Sequence, residues 1–524
     1  MTRRDLFRAT ALAAAPSLAR AAPPKNKTWL FWDLWKLDSL VGAELRQGEP
    51  RWRPQYNYED PLLGSLSSWP SVSRDPETGK WRMFYSANWR PLQLLVAESE
   101  DGLRWKPAER PEFASAPTVE KKIAPHHVFT LPSGSGGSAY VDPKAVDGYR
   151  YKILAIQTHD HAKQRALGDS SHPFHELAKR TDGAPRFFSD HLVVKSRDGY
   201  RWEADYGAVW NKASWNPEPP VYGFYNSHSG KHTFTSRPGH GDRRVTILDT
   251  ADFSDWSDPE LLIQTDSLDD GLVEHYGMPV FPYEGAYVGL LWVFHINSTE
   301  RPSKYNRSLG WIDCQLAHSY DGRRFQRGSR QPFLPLNPAG EYGGGHLQPS
   351  AMAVVDDEIR IWSTAGKHTH GMGDQMQERR GGREGLAAIT LHTLRKDGFS
   401  YLASTGSWAR IMSKPLVLNE PWLSVNASVP QGELRYQVTD VEAHPIPGFS
   451  FDECVPLVDS DLTDSPLRWK QARLDVILGK PVRLEVKWLN GRLYAFRGDW
   501  HFLDAQDWHL LEAGETLDQR WFDF

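Results

Sequence analysis

Short runs of β-branched and aliphatic residues alternate with polar ones along most of this chain, and one composite pattern returns five times. An apolar strand ending in a polar pair, Asp-Gly and an aromatic appears as LLVAESEDGLRW (ending at Trp105), LVVKSRDGYRW (Trp202), VTILDTADFSDW (Trp256), LAHSYDGRRF (Phe325) and AITLHTLRKDGFSY (Tyr401). Upstream of each copy lies a strand pair with its own turn: VSRDPETGKWRMFYS, AYVDPKAVDGYRYKILAI, YGFYNSHSGKHTFTS, MPVFPYEGAYVGLLWVF and MAVVDDEIRIWST. Each unit reads as strand, turn, strand, longer loop, strand, Asp-Gly turn, with the aromatic opening an outer strand. That is a four-stranded blade, and five blades predict an all-β, five-bladed β-propeller over residues 28–404. In this reading Gly supplies the turn conformation and the ring fills the wedge between neighbouring blades.

After Tyr401 the rhythm changes. WLSVNAS, GELRYQVTD, VRLEVKW and GRLYAFRG alternate at strand period between Gly and Pro turns, which predicts a C-terminal β-sandwich over 405–524. The segment WLFWDLWKLD near residue 29 falls outside the five copies; it is expected to pair with the last blade and close the ring, removing an exposed sheet edge. The longer spacing between the first two copies holds His159, His161, His172 and His175 and reads as an inserted loop.

Composition narrows the function. The net charge of −5, with both signs interspersed, leaves no basic footprint for nucleic acid. Cys314 and Cys454 are far apart and outside any CxxC pattern, so they predict neither a disulfide framework nor a thiolate metal site. Arg3 and Arg4 precede a short Ala/Leu-rich run ending in small residues around Ala19 and Ala21, the pattern of a twin-arginine signal peptide over 1–22 and of a periplasmic or secreted protein. That run is shorter than the roughly 20 residues a membrane span needs. No phosphate-binding glycine loop or other cofactor fingerprint stands out, and no cofactor is expected.

The blade signatures RDPETGKWRMFYS, YVDPKAVDGYRYK, GDRRVTILDTADFSDW and EHYGMPVFPYEGAYVGLLWVFH, with REGLAAITLHTLRKDGFSYL running into the sandwich, resemble those of the five-bladed propeller glycosidases, the group that holds glycoside hydrolase families 32 and 43. The likeness is strongest to family-32-like propellers with a C-terminal β-sandwich. It implies carboxylates projecting into a central funnel, one protonating the leaving oxygen and another attacking or activating water. By this resemblance Asp142 in YVDP is a transition-state stabiliser and Glu274 in VEHYGMPV is the general acid. The first blade departs from the family pattern, with Ser68, Trp69 and Pro70 where Asn-Asp-Pro is expected. Glu59 and Asp60, just upstream in the loop YNYEDPLL, are the nearest replacements for the base or nucleophile, and also read as a solvated acidic pair before a proline.

Glu218 ahead of the third blade, Asp313 in the fourth, and Glu341 with His346 around a glycine-rich turn before the fifth are candidate substrate contacts, as are Trp69 and His275. Asp313 equally suits a structural pair with Arg243 or Arg244. Two histidine pairs, His159 with His161 and His368 with His370, have the i,i+2 spacing that puts both rings on one strand face, but no matching carboxylate completes a metal set, and no metal is expected. Trp89, Trp210 and Trp215 would stack on sugar faces if exposed, whereas packing between blades is the commoner fate of a propeller tryptophan. The expectation is an exported glycoside hydrolase acting on an oligo- or polysaccharide. A carbohydrate-binding propeller without catalysis is the alternative, and the sequence leaves the oligomeric state open.

Overall fold

The computed structural model describes residues 27–63, 68–76, 78–87, 91–109, 123–131, 134–160, 187–210, 217–238, 242–297 and 309–524. The twin-arginine segment, Trp89, Trp215 and histidines 161, 172 and 175 lie outside these residues, as do the side chains of His159 and Trp210. The described chain is all-β, with strands in five sheets.

Five antiparallel groups follow one another in sequence. The first holds Ser71–Arg74, Trp81–Ser86, Leu92–Ser99 and Lys106–Pro107, with His127–Leu131 added along its third strand. The second sets Gly134–Ser135 and Tyr140–Val141 on Tyr151–Asp160, followed by Phe187–Ser196 and Trp202–Trp210. Pro217–Asn226, Lys231–Pro238, Val245–Thr250 and Glu260–Ile263 make the third. The fourth (Val273–Gly277, Ala286–Ile296, Gly310–Ser319) and fifth (His346–Val355, Glu358–Gly366, Ala387–Arg395) share one sheet through the parallel pair Ile312 and His346.

Four of the repeated turns are built identically. Ser99, Ser196, Thr250 and Ser319 each accept the amide of the residue three positions on, at 2.8–2.9 Å. Asp101, Asp198, Asp252 and Asp321 each accept two further amides, at 2.8–3.0 Å. The hydroxyl and carboxylate together satisfy the donors that a tight turn leaves unpaired. The residue after the Asp takes positive φ in all four, Gly102, Gly199 and Gly322 without a side-chain clash and Phe253 in place of glycine.

The apolar faces then pack pairwise. Trp202 joins a cluster of the first and second groups, Trp256 one of the second and third, and Phe325 packs on one of the third and fourth. A fourth cluster joins groups four and five, and Trp81, Met83 and Leu95 of the first group meet Trp362, Ile389 and Leu391 of the fifth. Each contact removes apolar surface from water at about 25 cal/mol per Å².

The N-terminal strand departs from expectation. Lys27–Leu30 pairs not with the fifth group but with Arg492–Phe502, because Trp29 nests among Phe31, Phe496 and Phe502 in the C-terminal core. The strand that completes the fifth group is the two-residue Arg51–Trp52, paired with His392 and Thr393. The fifth aromatic, Tyr401, also leaves the pattern: Ser400–Ser404 pairs with Ala43–Gln47. By pairing, residues 27–47 and 400–404 therefore group with the C-terminal strands, around the long Leu416–Thr439. Asp397 of the fifth turn is diverted to bind them. It is fully buried and accepts from Tyr283 Oη (2.7 Å), Asn426 Nδ2 (2.8 Å) and Arg497 (2.5 Å), tying the fourth group to the C-terminal sheet.

Candidate functional site

Strand register sorts the predicted residues into two ends. In the third group Asn226, Lys231 and Thr250 lie at the Asp-turn end, while Glu218 pairs with Arg237 at the other. In the fourth, Tyr287 and Ser319 mark the turn end, and Glu274, Phe294 and Asp313 the opposite one. His346 pairs with Gly366 and Gly366 with Ala387, again away from the turn. Trp69 and Tyr85 lie toward the corresponding end of the first group, whose strands meet there at Ser86 and Leu94. Asp142 alone is at the turn end: it follows Val141, which pairs with Tyr151, and Tyr151 pairs with Ser196.

Asp142 is correspondingly occupied. Its carboxylate accepts from Lys152 Nζ at 2.7 Å and from the Lys144 amide at 2.8 Å, with both charged side chains almost wholly buried. Burial favours the neutral acid, but Lys152 and the backbone donors outweigh it and hold Asp142 below the ordinary carboxylate range. The structure does not bring it together with the other predicted acids.

At the far end two polar centres form. Asp60 is buried, and its Oδ2 accepts from Tyr85 Oη (2.6 Å) and His126 Nε2 (2.7 Å) while Oδ1 accepts the Leu62 amide (2.8 Å). Tyr58 Oη lies 2.9 Å from Tyr85 Oη, extending the chain of hydroxyls. Desolvation opposes the charge on Asp60, yet the hydrogen bonds from His126, Tyr85 and Leu62 prevail and keep the carboxyl below its usual range. His126 Nδ1 is buried without a partner among the described residues. Beside this centre Glu59 is exposed and accepts from Tyr342, whose phenol is pushed up to about 12 by burial, by Glu59, and by Glu341 and Glu384. Lys367 lies 4.3 Å from the centre of the Tyr342 ring.

The second centre gathers Glu218 and Glu274 with two arginines. Arg243 donates to Glu274, and Arg237 donates to Glu218 (3.1 Å) and to the Pro219 carbonyl (2.6 Å). Both guanidiniums lie over the Tyr276 ring, at 4.5 and 5.3 Å, and Tyr276 Oη meets His370 Nε2 at 3.1 Å. Trp69 is buried at positive φ, its amide on Thr364 Oγ1 (2.8 Å) and its indole on Gln348 (3.2 Å). It therefore offers no open face for stacking.

Three predicted residues are held in side roles. Asp313 pairs with His295 (3.0 Å), while Arg243 is taken by Glu274 and Arg244 by Asp242. His275 is fully buried against Arg327 (3.2 Å), and burial pulls its ring down to about 4. His346, also fully buried, contacts the His368 carbonyl through Nδ1 (2.9 Å), and its Nε2 has no partner among the described residues. His126, Tyr85, Arg237 and Tyr276 carried no local signal in the sequence, since their partners are 18 to 94 residues away. Among the described residues one group places three metal-type ligand atoms within 4.8 Å, Asp440, Glu442 and His444, and it is in the C-terminal unit rather than at this end.

No family model matches the sequence, and no curated protein sequence does. Solved structures are similar. A family 32 β-fructofuranosidase of Bombyx mori is 13% identical, with 86% of this chain and 95% of that one covered and a TM-score of 0.38. An N-acetylgalactosamine deacetylase of F. plautii is 12% identical over 67% of this chain and 96% of its own, at 0.41. A glycoside hydrolase is 13% identical over 66% and 92%, at 0.38.

Proposed function

We propose that the five strand groups are the blades of a five-bladed propeller, that the C-terminal unit is a β-sandwich, and that the protein is a glycoside hydrolase working at the blade end away from the Asp turns. The cycle of apolar clusters, running from each group to the next and from the fifth back to the first, supports the ring.

One observation carries the catalytic reading. Asp142, Asp269 and Asp397 are each neutralised by a lysine or arginine, as structural carboxylates are. Asp60 is instead held by a histidine, a tyrosine and an amide, which favour its anion, and it has no lysine or arginine ion pair among the described residues. Such a carboxylate is equipped to act as base or nucleophile on an oligo- or polysaccharide, and Glu274 at the same end is its partner as proton donor once its link to Arg243 opens. A second reading, carbohydrate binding without catalysis, is favoured by the engagement of both Glu218 and Glu274 with arginine. Hydrolysis of a plant and microbial glycan panel, with binding measured in parallel, separates the two. Release of sugar that collapses in Asp60→Asn and Glu274→Gln supports the hydrolase; binding without release by wild type overturns it in favour of the lectin-like reading.

The same proposal includes export, resting on Arg3, Arg4 and the small residues before position 22. Cell fractionation tests it: replacing both arginines by lysine should retain the protein in the cytoplasm, and unchanged export would refute the signal.

A further inference from the structure

The C-terminal unit contains a cleft of about 300 Å³ that none of the chemistry above uses. Its apolar wall is Pro421, Leu467, Ala472 and Leu474, with Trp469 beside them, and its polar wall is Arg468, Arg473 and Asp475. The cleft is held rigidly. Leu467 donates its amide to the Leu423 carbonyl, Val455 to Arg468 and Lys470 to Glu453, all at 2.8–2.9 Å, so the strip carrying both walls is pinned on either side. Trp469 is fixed edge-on between Tyr436 and Phe449, with ring centres 5.0 Å apart in each case. Its Nε1–H is buried with no acceptor among the described residues.

The charge on the walls is unbalanced. Arg473 Nε lies 3.5 Å from Asp475, which accounts for one cation and the one anion. The guanidinium of Arg468 is left over: its backbone amide and carbonyl are engaged by Tyr436, and its side chain is exposed with no ion pair among the described residues. A preformed concavity with an apolar wall and one unmatched guanidinium suits a small ligand with an apolar face and a carboxylate, which the planar fork of arginine can take bidentately.

We propose that this cleft is a second binding site, separate from the propeller, for a uronic acid unit: the carboxylate on Arg468, the C–H face of the pyranose against Pro421 and Leu474, and hydroxyls on Arg473 and Asp475. Its choice of a sugar acid rests on the reading of the protein as one that acts on glycans. The geometry of the cleft does not depend on catalysis in the propeller, so the two can fail separately.

The experiment is a calorimetric titration of the full chain with galacturonate trisaccharide, galacturonate monosaccharide and a neutral trisaccharide. Wild type should bind the acidic trisaccharide at least tenfold more tightly than the neutral one. Arg468→Ala should weaken the acidic ligand at least tenfold, Arg468→Lys should weaken it by less, and Ala472→Trp, which fills the cleft, should abolish binding while the melting temperature stays close to wild type. Monosaccharide binding equal to that of the trisaccharide assigns the site to a single unit. Acidic and neutral sugars binding alike, or Arg468→Ala and Ala472→Trp both binding as wild type does, would overturn the proposal.

Discussion

Mild acid should unfold this protein for a reason that can be counted. Among the histidines that are at most 5% exposed, burial pulls five far below their ordinary value: His191, His275, His318, His346 and His392. Burial lowers His191 and His392 from 6.5 to about 3, and His275, His318 and His346 to about 4. Each is therefore neutral in the folded state at any pH above its lowered value, while its unfolded counterpart takes up a proton near 6.5. The unfolded state binds more protons, so stability is fully present above pH 6.5 and is lost as pH falls toward 4. At pH 5.5 the difference is about 0.9 proton per histidine, between four and five in all, which makes the slope about 6 kcal/mol per pH unit.

Integrated from pH 7, the loss is about 6 kcal/mol at pH 5.5 and about 9 at pH 5, as large as the whole stability of an ordinary domain. The carboxylates add to the loss only further down, since those held below their usual range, such as Asp60 and Asp142, protonate at lower pH. All five histidines are in the strand groups and none is in the C-terminal sheet. Thermal melts by circular dichroism from pH 7.5 to 5 should show a steep fall in Tm, and urea unfolding in weak buffer at pH 5.5 should take up four to five protons. His392→Gln should remove about one of them. Uptake below two protons, or a Tm that does not move between pH 7.5 and 5.5, would refute the assignment of these rings as buried and neutral.

Other perturbations follow from the same contacts. Asp397→Ala strips the carboxylate from buried Arg497 and from Tyr283 and Asn426, and should cost about 3–5 kcal/mol in urea titration. Asp142→Asn leaves Lys152 buried beside a neutral group; it should cost about as much stability while activity per folded molecule survives, and a large drop in kcat at unchanged Tm would restore Asp142 to the reaction. Gly366→Ala would put its Cβ within 1.9 Å of the His346 ring, so it should destabilise the fold by about 1–3 kcal/mol, read from the melting temperature.

What the sequence made legible was local. The Asp-Gly-aromatic repeat announced five groups because each turn closes on its own residues: Asp101, Asp198, Asp252 and Asp321 bind amides two and three positions away. The hydroxyl two residues before each Asp was equally visible and is part of the same device. Ring closure was not legible, because a two-residue strand such as Arg51–Trp52 has no period to detect, whereas the long apolar run at Trp29 drew attention and went to the C-terminal core. The partners of the predicted acids were out of reach for the same reason. Nothing near Asp60 points to His126, 66 positions later, and nothing near Glu274 points to Arg243 on a neighbouring group.

The register of the strands also decides which acids are free for chemistry. In four groups an Asp at one end is saturated by turn amides, and in the second group Asp142 is saturated at that same end by Lys152. Carboxylates there are committed to geometry. At the other end four of the groups contribute different residue types: Trp69 and the Asp60 loop, Glu218 with Arg237, Glu274 with Tyr276, and His346 near the Tyr342 turn. A repeated framework thus keeps its repetition where it needs turns and varies at the opposite end of the strands. Substitutions at the varied end should therefore separate activity from stability, as those at the Asp turns should not.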